Sequence, residues 1–142
     1  MKDITFVVAT RKGSKRVKNK NIRKFGNSNL LEIKLKQIKR VFVNPNIFLS
    51  SDCVKSLNVG KKYNVQIDFR PKRLASDKVP MKKVYQYLAS QVKSRYICYL
   101  HVTSPFLKDK TLHNAIKLFF KKKKKQKLDS SHRNKSKGIF MV

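Results

Sequence analysis

The stretch Ile4–Ala9 (ITFVVA) is an unbroken apolar run rich in β-branched residues. It shows no polar alternation, so it predicts a strand covered on both faces, as in a parallel sheet. From Leu30 to Val41 the pattern changes to helical spacing. Leu31, Leu35 and Ile38 define the inner face, and Lys34, Lys36 and Lys39 are assigned to the outer one. Asn44-Pro45-Asn46 breaks that helix. Ile47–Ser50 predicts a second strand, and Asp52 reads as the N-cap of a short helix ending near Gly60. Val65–Phe69 alternates and predicts a third strand. Arg70–Pro80 is a polar loop with two prolines. Met81–Val92 predicts a helix with Val84, Tyr87, Leu88 and Gln91 on one face. Tyr96–Val102 (YICYLHV) is a fourth, strongly apolar strand that stops at Thr103-Ser104-Pro105, and Asp109–Phe120 predicts a further helix with Leu112, Ile116 and Phe119 inward.

Strand and helix alternate throughout, which predicts an α/β fold: a three-layer, mostly parallel sheet covered on both sides. Ligands of such sheets sit beyond the carboxyl ends of the strands. The loop after Ala9 and the turn at Thr103 both follow strand ends, so they are expected to border one crevice. The pattern assigns residues 1–120 to this domain. Residues 121–142 read as a Lys-rich tail, opening on the solvated charge block Lys121–Lys125 and showing little periodicity before Ile139–Val142.

Charge complicates this picture. The chain has 142 residues, with 36 Lys+Arg against 7 Asp+Glu, for a formal net charge of +29. An excess of this size suits a polyanionic partner, so a basic nucleic-acid-binding protein is the alternative reading. The lysines, however, are spread over nearly every segment and are not interleaved with aromatics along one stripe. That distribution fits non-specific nucleic-acid binding better than a dedicated nucleic-acid surface. Cys53 and Cys98 lack metal-ligand spacing and read as reduced structural thiols of a cytoplasmic protein. No apolar run approaches the ~20 residues needed to span a bilayer, and the N-terminal run is too short for a cleavable signal.

The chemistry concentrates in RKGSKRVKNKN, Arg11 to Asn21, directly behind the first strand. Gly13 lets backbone pass close to a ligand, and Ser14 offers a hydroxyl. Arg11, Lys15 and Lys20 offer cations, and Asn21 offers an amide. A Gly- and Lys-rich bend after a buried strand is suited to phosphate. Its spacing is not that of a Walker A loop.

The segment R-x-G-S-K followed by K-N, here Arg11, Gly13, Ser14, Lys15, Lys20 and Asn21, resembles the signature of the acylneuraminate cytidylyltransferases. These are the CMP-sialic acid synthetases and their CMP-sugar synthetase relatives. Phe48–Asp52 (FLSSD), Phe69-Arg70-Pro71 with Leu74-Ala75-Ser76-Asp77, and Val102–Phe106 (VTSPF) are similar to further segments of that family, in the same order. The similarity runs from residue 3 to about residue 120.

The resemblance implies a Rossmann-like nucleotidyltransferase fold. It implies transfer of CMP from CTP to the anomeric hydroxyl of an acidic 2-keto sugar, with pyrophosphate released and Mg²⁺ assisting. Lys20 and Arg11 would be the catalytic cations. Arg11, Gly13, Ser14, Lys15, Asn21 and Arg70 would hold the nucleotide. His101, Thr103 and Ser104 would border the sugar. The family often carries Gln where this chain has His101, and Arg where it has Leu107-Lys108. The family also extends further, through segments with metal-binding aspartates and a dimerisation element. The resemblance therefore implies a C-terminally truncated chain whose own metal ligands and homodimer contact are missing and whose activity is in question. Asp52 and Asp77 read either as groups that order the site or as structural caps.

Overall fold

The computed structural model describes residues 3–13, 17–129 and 138–142. Ser14, Lys15 and Ser130 lie outside the described residues. The described strands and helices are β1 (Ile4–Ala9), β2 (Lys24–Phe25), β3 (Ser28–Asn29), α1 (Leu30–Val41), β4 (Asn46–Ser51), α2 (Val54–Lys62), β5 (Gln66–Phe69), α3 (Met81–Gln91), β6 (Tyr96–Leu100), α4 (Asp109–Asp129) and β7 (Gly138–Met141), with one 3-10 turn at Lys72–Leu74. The main sheet has the order β5-β4-β1-β6-β7. All its neighbours are parallel.

β1 lies at the centre, and the unbroken apolar run has the environment it implies. Ile4, Phe6, Val7 and Val8 are all 0% exposed. Alternate residues serve opposite faces. Ile4, Phe6 and Val8 pack with Leu31, Leu35 and Ile38 of α1, Leu57 of α2, and Leu112 and Ile116 of α4. Val7 packs with Val84 and Leu88 of α3. Three helices therefore cover one face and one covers the other, which produces the three layers. Phe6 also stacks on Phe42, with ring centroids 4.7 Å apart.

Several features depart from the sequence pattern. Lys34, expected on the outer face of α1, is fully buried. The apolar stripe of α1 is wider than its three leucine and isoleucine positions, because the turn after β6 closes over it. The ammonium of Lys34 then donates to Gln37 Oε1 at 2.8 Å and to the Ser104 carbonyl at 3.1 Å. Second, α4 continues past Phe120 through the lysine run to Asp129. Lysine is a good helix former, so a charge block does not by itself end a helix. Third, Gly138–Met141 is no tail but a fifth strand beside β6. Phe140 stacks on Phe119 at 3.9 Å, and four residues behind a charged stretch are too few to show a period.

Fourth, the loop after β1 contains the β2–β3 ribbon, in which Gly26 takes φ 59° at the turn. That left-handed conformation costs glycine little. Asp52 does not cap α2 either. The N-cap is Cys53, without a side-chain cap bond, while Asp52 Oδ1 accepts from the Lys12 N–H at 2.9 Å. Of the two readings open for Asp52, the one that orders the site loop holds. No described helix is long and apolar enough to cross a membrane.

Candidate functional site

A cleft of about 690 Å³ opens at the carboxyl ends of the central strands. The end of β1 supplies Ala9, Thr10 and Arg11, and the following loop supplies Val17, Lys20 and Asn21. The segment after β5 supplies Arg70 and Leu74 to Asp77, and β6 with its turn supplies Tyr99, His101, Val102 and Thr103. Hydrogen bonds between strand ends build this rim. Thr10 N–H donates to Ser50 O at 3.0 Å, and Thr10 Oγ1 donates to Ser51 Oγ at 2.9 Å. Arg70 N–H donates to Ser51 O at 3.0 Å.

Arg70 has the least usual electrostatics in the cleft. Its side chain is 4% exposed, and one guanidinium nitrogen, Nη2, donates to the Thr10 carbonyl at 2.6 Å. Nε and Nη1 are buried with no hydrogen-bond partner among the described residues. Burial pushes the Arg70 pKa down, and the electrostatics of Tyr99, Asp52, Asp68 and Tyr87 push back. Asp68 is engaged elsewhere, accepting from Ser50 Oγ at 2.7 Å and Tyr87 OH at 2.8 Å. Burial, with that bond to Asp68, pushes the Tyr87 hydroxyl up to about 12. A buried cation with unused donors on a cleft wall is a site for an anionic acceptor.

The cleft brings together Arg11, Lys20, Asn21, Arg70, His101 and Thr103 from the sequence-derived set. Gly13 is not among the lining residues, and a Cβ there would meet nothing within 4 Å, so the fold makes no demand for glycine at that position. Ser104 is likewise off the lining. Its carbonyl faces inward, to Lys34.

Sequence reasoning missed two contributions. Tyr99, part of the apolar run Tyr96–Val102 and not singled out there, also lines the cleft, with its ring edge-to-face to His101 at 4.9 Å and to Tyr85 at 5.2 Å. Its alternation with Cys98 along β6 was the available signal. Val79, Met81 and Val84 supply an apolar wall that nothing in the polar motifs marks.

The turn after β6 is held from behind by α1. Lys34 binds the Ser104 carbonyl. Gln37 Nε2 donates to the Leu107 carbonyl and, at 3.1 Å, to Asp109 Oδ1. Arg40 takes Asp109 with both Nε (2.6 Å) and Nη2 (2.8 Å). Hydrogen bonds from Arg40 and then Gln37 hold the Asp109 carboxyl down at about 2. The folded pKa lies below the unfolded one, so this contribution is present above about pH 4 and is lost as pH falls towards 2. Urea midpoints measured at pH 5 and pH 3 are expected to fall further for the wild type than for Asp109→Asn.

A sequence model of the family described as "Cytidylyltransferase" matches residues 5–139. This chain belongs to the cytidylyltransferase family. It is 32% identical over 113 residues to a Helicobacter pylori protein named pseudaminic acid cytidylyltransferase and UDP-2,4-diacetamido-2,4,6-trideoxy-beta-L-altropyranose hydrolase, across 77% of this chain and 22% of that one. It is 28% identical over 125 residues to the Campylobacter jejuni pseudaminic acid cytidylyltransferase, across 84% of this chain and 54% of the relative.

Among solved structures, the fold is shared with a CMP:2-keto-3-deoxy-manno-octonic acid synthetase complexed with CTP. The TM-score there is 0.68 at 10% identity, over 80% of this chain and 46% of that one. A cytidylyltransferase from Leptospira borgpetersenii also has a TM-score of 0.68, at 22% identity, over 83% of this chain and 49% of that one. The cytidylyltransferase-family chain thus spans from under a quarter to about half the length of these proteins. The family match also runs through α4 into β7, beyond the boundary at residue 120 that the pattern suggested.

Magnesium, implied by the resemblance, needs oxygen ligands. Among the described residues no three of His, Cys, Asp and Glu converge to hold a metal ion. The carboxylate on the cleft lining, Asp77, is ion-paired with Arg11. The described residues therefore do not fit a protein-built magnesium site.

Proposed function

We propose that this chain binds CTP in the cleft, as the nucleotide-binding part of an enzyme that transfers CMP to an acidic 2-keto sugar of the acylneuraminate or pseudaminate kind. The supporting observation is Arg70, with two buried donor nitrogens that lack a partner among the described residues, lining the same cleft as Arg11 and Lys20. Three cations converging on one concavity match a triphosphate better than they match a neutral ligand. In the reaction, the anomeric hydroxyl oxygen of the sugar attacks the α-phosphorus and loses its proton. The bond from the α-phosphorus to the α–β bridging oxygen breaks, and pyrophosphate leaves with that oxygen. Lys20 and Arg11 stabilise the negative charge that builds on the phosphate oxygens. His101 and Thr103, which also line the cleft, are assigned to the acceptor and can hydrogen-bond a sugar acid.

Titration calorimetry with CTP tests the binding half. A protein this basic attracts any phosphate, so the measurement belongs at about 0.3 M salt, where exposed charges are screened over a few ångströms. CTP is expected to bind saturably and more tightly than ATP. Lys20→Ala is expected to weaken it about tenfold, the loss of one charge-assisted contact at an exposed site. Absence of saturable CTP binding at millimolar concentration overturns the reading. Pyrophosphate release on adding the sugar acid tests the transfer half separately.

A further inference from the structure

Resting on that reading, we infer that Asp77 is a built-in competitor for the phosphate site: its carboxylate holds the Arg11 guanidinium when no nucleotide is present and gives it up to the phosphates. Arg11 follows β1, and Asp77 lies in the segment after β5. The two strands are not neighbours, because β4 runs between them. The Arg11–Asp77 ion pair therefore bridges two separate walls of the cleft, and both residues line it.

Neither wall depends on the pair for its shape. On the Arg11 side, Thr10 N–H is bonded to Ser50 O and Lys12 N–H to Asp52 Oδ1. On the Asp77 side, the chain is folded by its own turns, Leu74 N–H to Pro71 O, Ala75 N–H to Lys72 O and Val79 N–H to Ser76 O. Among the described residues, Asp77 is also the single carboxylate on a lining that carries Arg11, Lys20 and Arg70. A carboxylate and a phosphate offer a guanidinium the same pair of oxygens, so they compete for it directly.

Exposure makes the exchange workable. The two side chains are 39% and 34% exposed, so solvent screens the pair and it is weak enough for a triphosphate to displace. A pair of that strength lowers the affinity of any ligand that needs Arg11 by about two- to fivefold.

The test is calorimetry on wild type, Asp77→Asn, Arg11→Gln and the double variant, with CTP, inorganic pyrophosphate and cytidine as probes. Asp77→Asn is expected to tighten CTP and pyrophosphate by about two- to fivefold and to leave cytidine, which has no phosphate, unchanged. In the Arg11→Gln background the same substitution is expected to give no gain, since coupled residues fail to add. Asp77→Ser guards against an effect peculiar to the asparagine amide and is expected to behave alike. A gain that persists without Arg11 would show simple repulsion and overturn the proposal. So would weaker or unchanged binding by Asp77→Asn, which would make Asp77 a ligand contact or a bystander. If wild type binds CTP and Asp77→Asn gains nothing, only this inference falls. If neither protein binds CTP or pyrophosphate, the nucleotide reading falls as well.

Discussion

Arg70→Met is expected to weaken CTP binding about a hundredfold or more while leaving the folded chain close to wild-type stability. Both halves follow from the same burial. The guanidinium is 4% exposed, and two of its nitrogens have no partner among the described residues. Holding a charge there without full compensation is costly, and an apolar side chain of similar length relieves the cost. Against this stands the loss of the 2.6 Å bond to the Thr10 carbonyl. Leaving that acceptor unmet costs about 1–3 kcal/mol, so the two effects roughly cancel. No such cancellation operates on binding. On the proposed reading, two charge-assisted contacts to phosphate, at about 1.5–3 kcal/mol each, are lost together. Calorimetry gives the affinity and urea denaturation the stability. Intact CTP binding in Arg70→Met would mean that the free donors face nothing the nucleotide offers.

Lys34→Ala should show the opposite profile, a loss of about 2–4 kcal/mol of stability, most of it recovered in Lys34→Met. The truncation empties a fully buried position and orphans the Ser104 carbonyl and Gln37 Oε1. Methionine refills the space and removes the buried charge. pH separates packing from charge. Burial lowers the Lys34 pKa below 10.5, with Asp109 and Cys98 opposing the shift. Between that lowered value and 10.5 the unfolded chain binds more protons than the folded one, so stability contributed at Lys34 rises with pH in that window. Wild type is therefore expected to gain on Lys34→Met as pH climbs towards 10.5. Urea midpoints at pH 8 and pH 10 measure the difference.

Lys34 also shows where sequence reading stops. Periodicity located α1 because Leu31, Leu35 and Ile38 recur every three or four residues. It could not show that a turn more than sixty residues later covers the next position, because that is tertiary information. Ile4–Ala9 and Tyr96–Leu100 were legible as buried strands, since continuous apolar runs of that length have few other uses. Gly138–Met141 was not, because its partner β6 makes it a strand and its own pattern does not.

The site divides in the same way. Arg11, Lys20, Asn21, Arg70, His101 and Thr103 stood in ordered motifs, and they meet in one cleft. That Arg70 is buried and half-partnered, and that Asp77 reaches Arg11, are facts of three-dimensional packing that spacing cannot carry.

Helix α1 touches two of the cleft's three walls. Its first turn donates Leu31 N–H to the Asn21 carbonyl, and its Lys34, Gln37 and Arg40 hold residues 104–109. The loop after β1 and the turn after β6 are thus both anchored to one helix. On the proposed reading, room for a bulkier sugar is expected on the remaining side, residues 71–80, which is folded by its own turns.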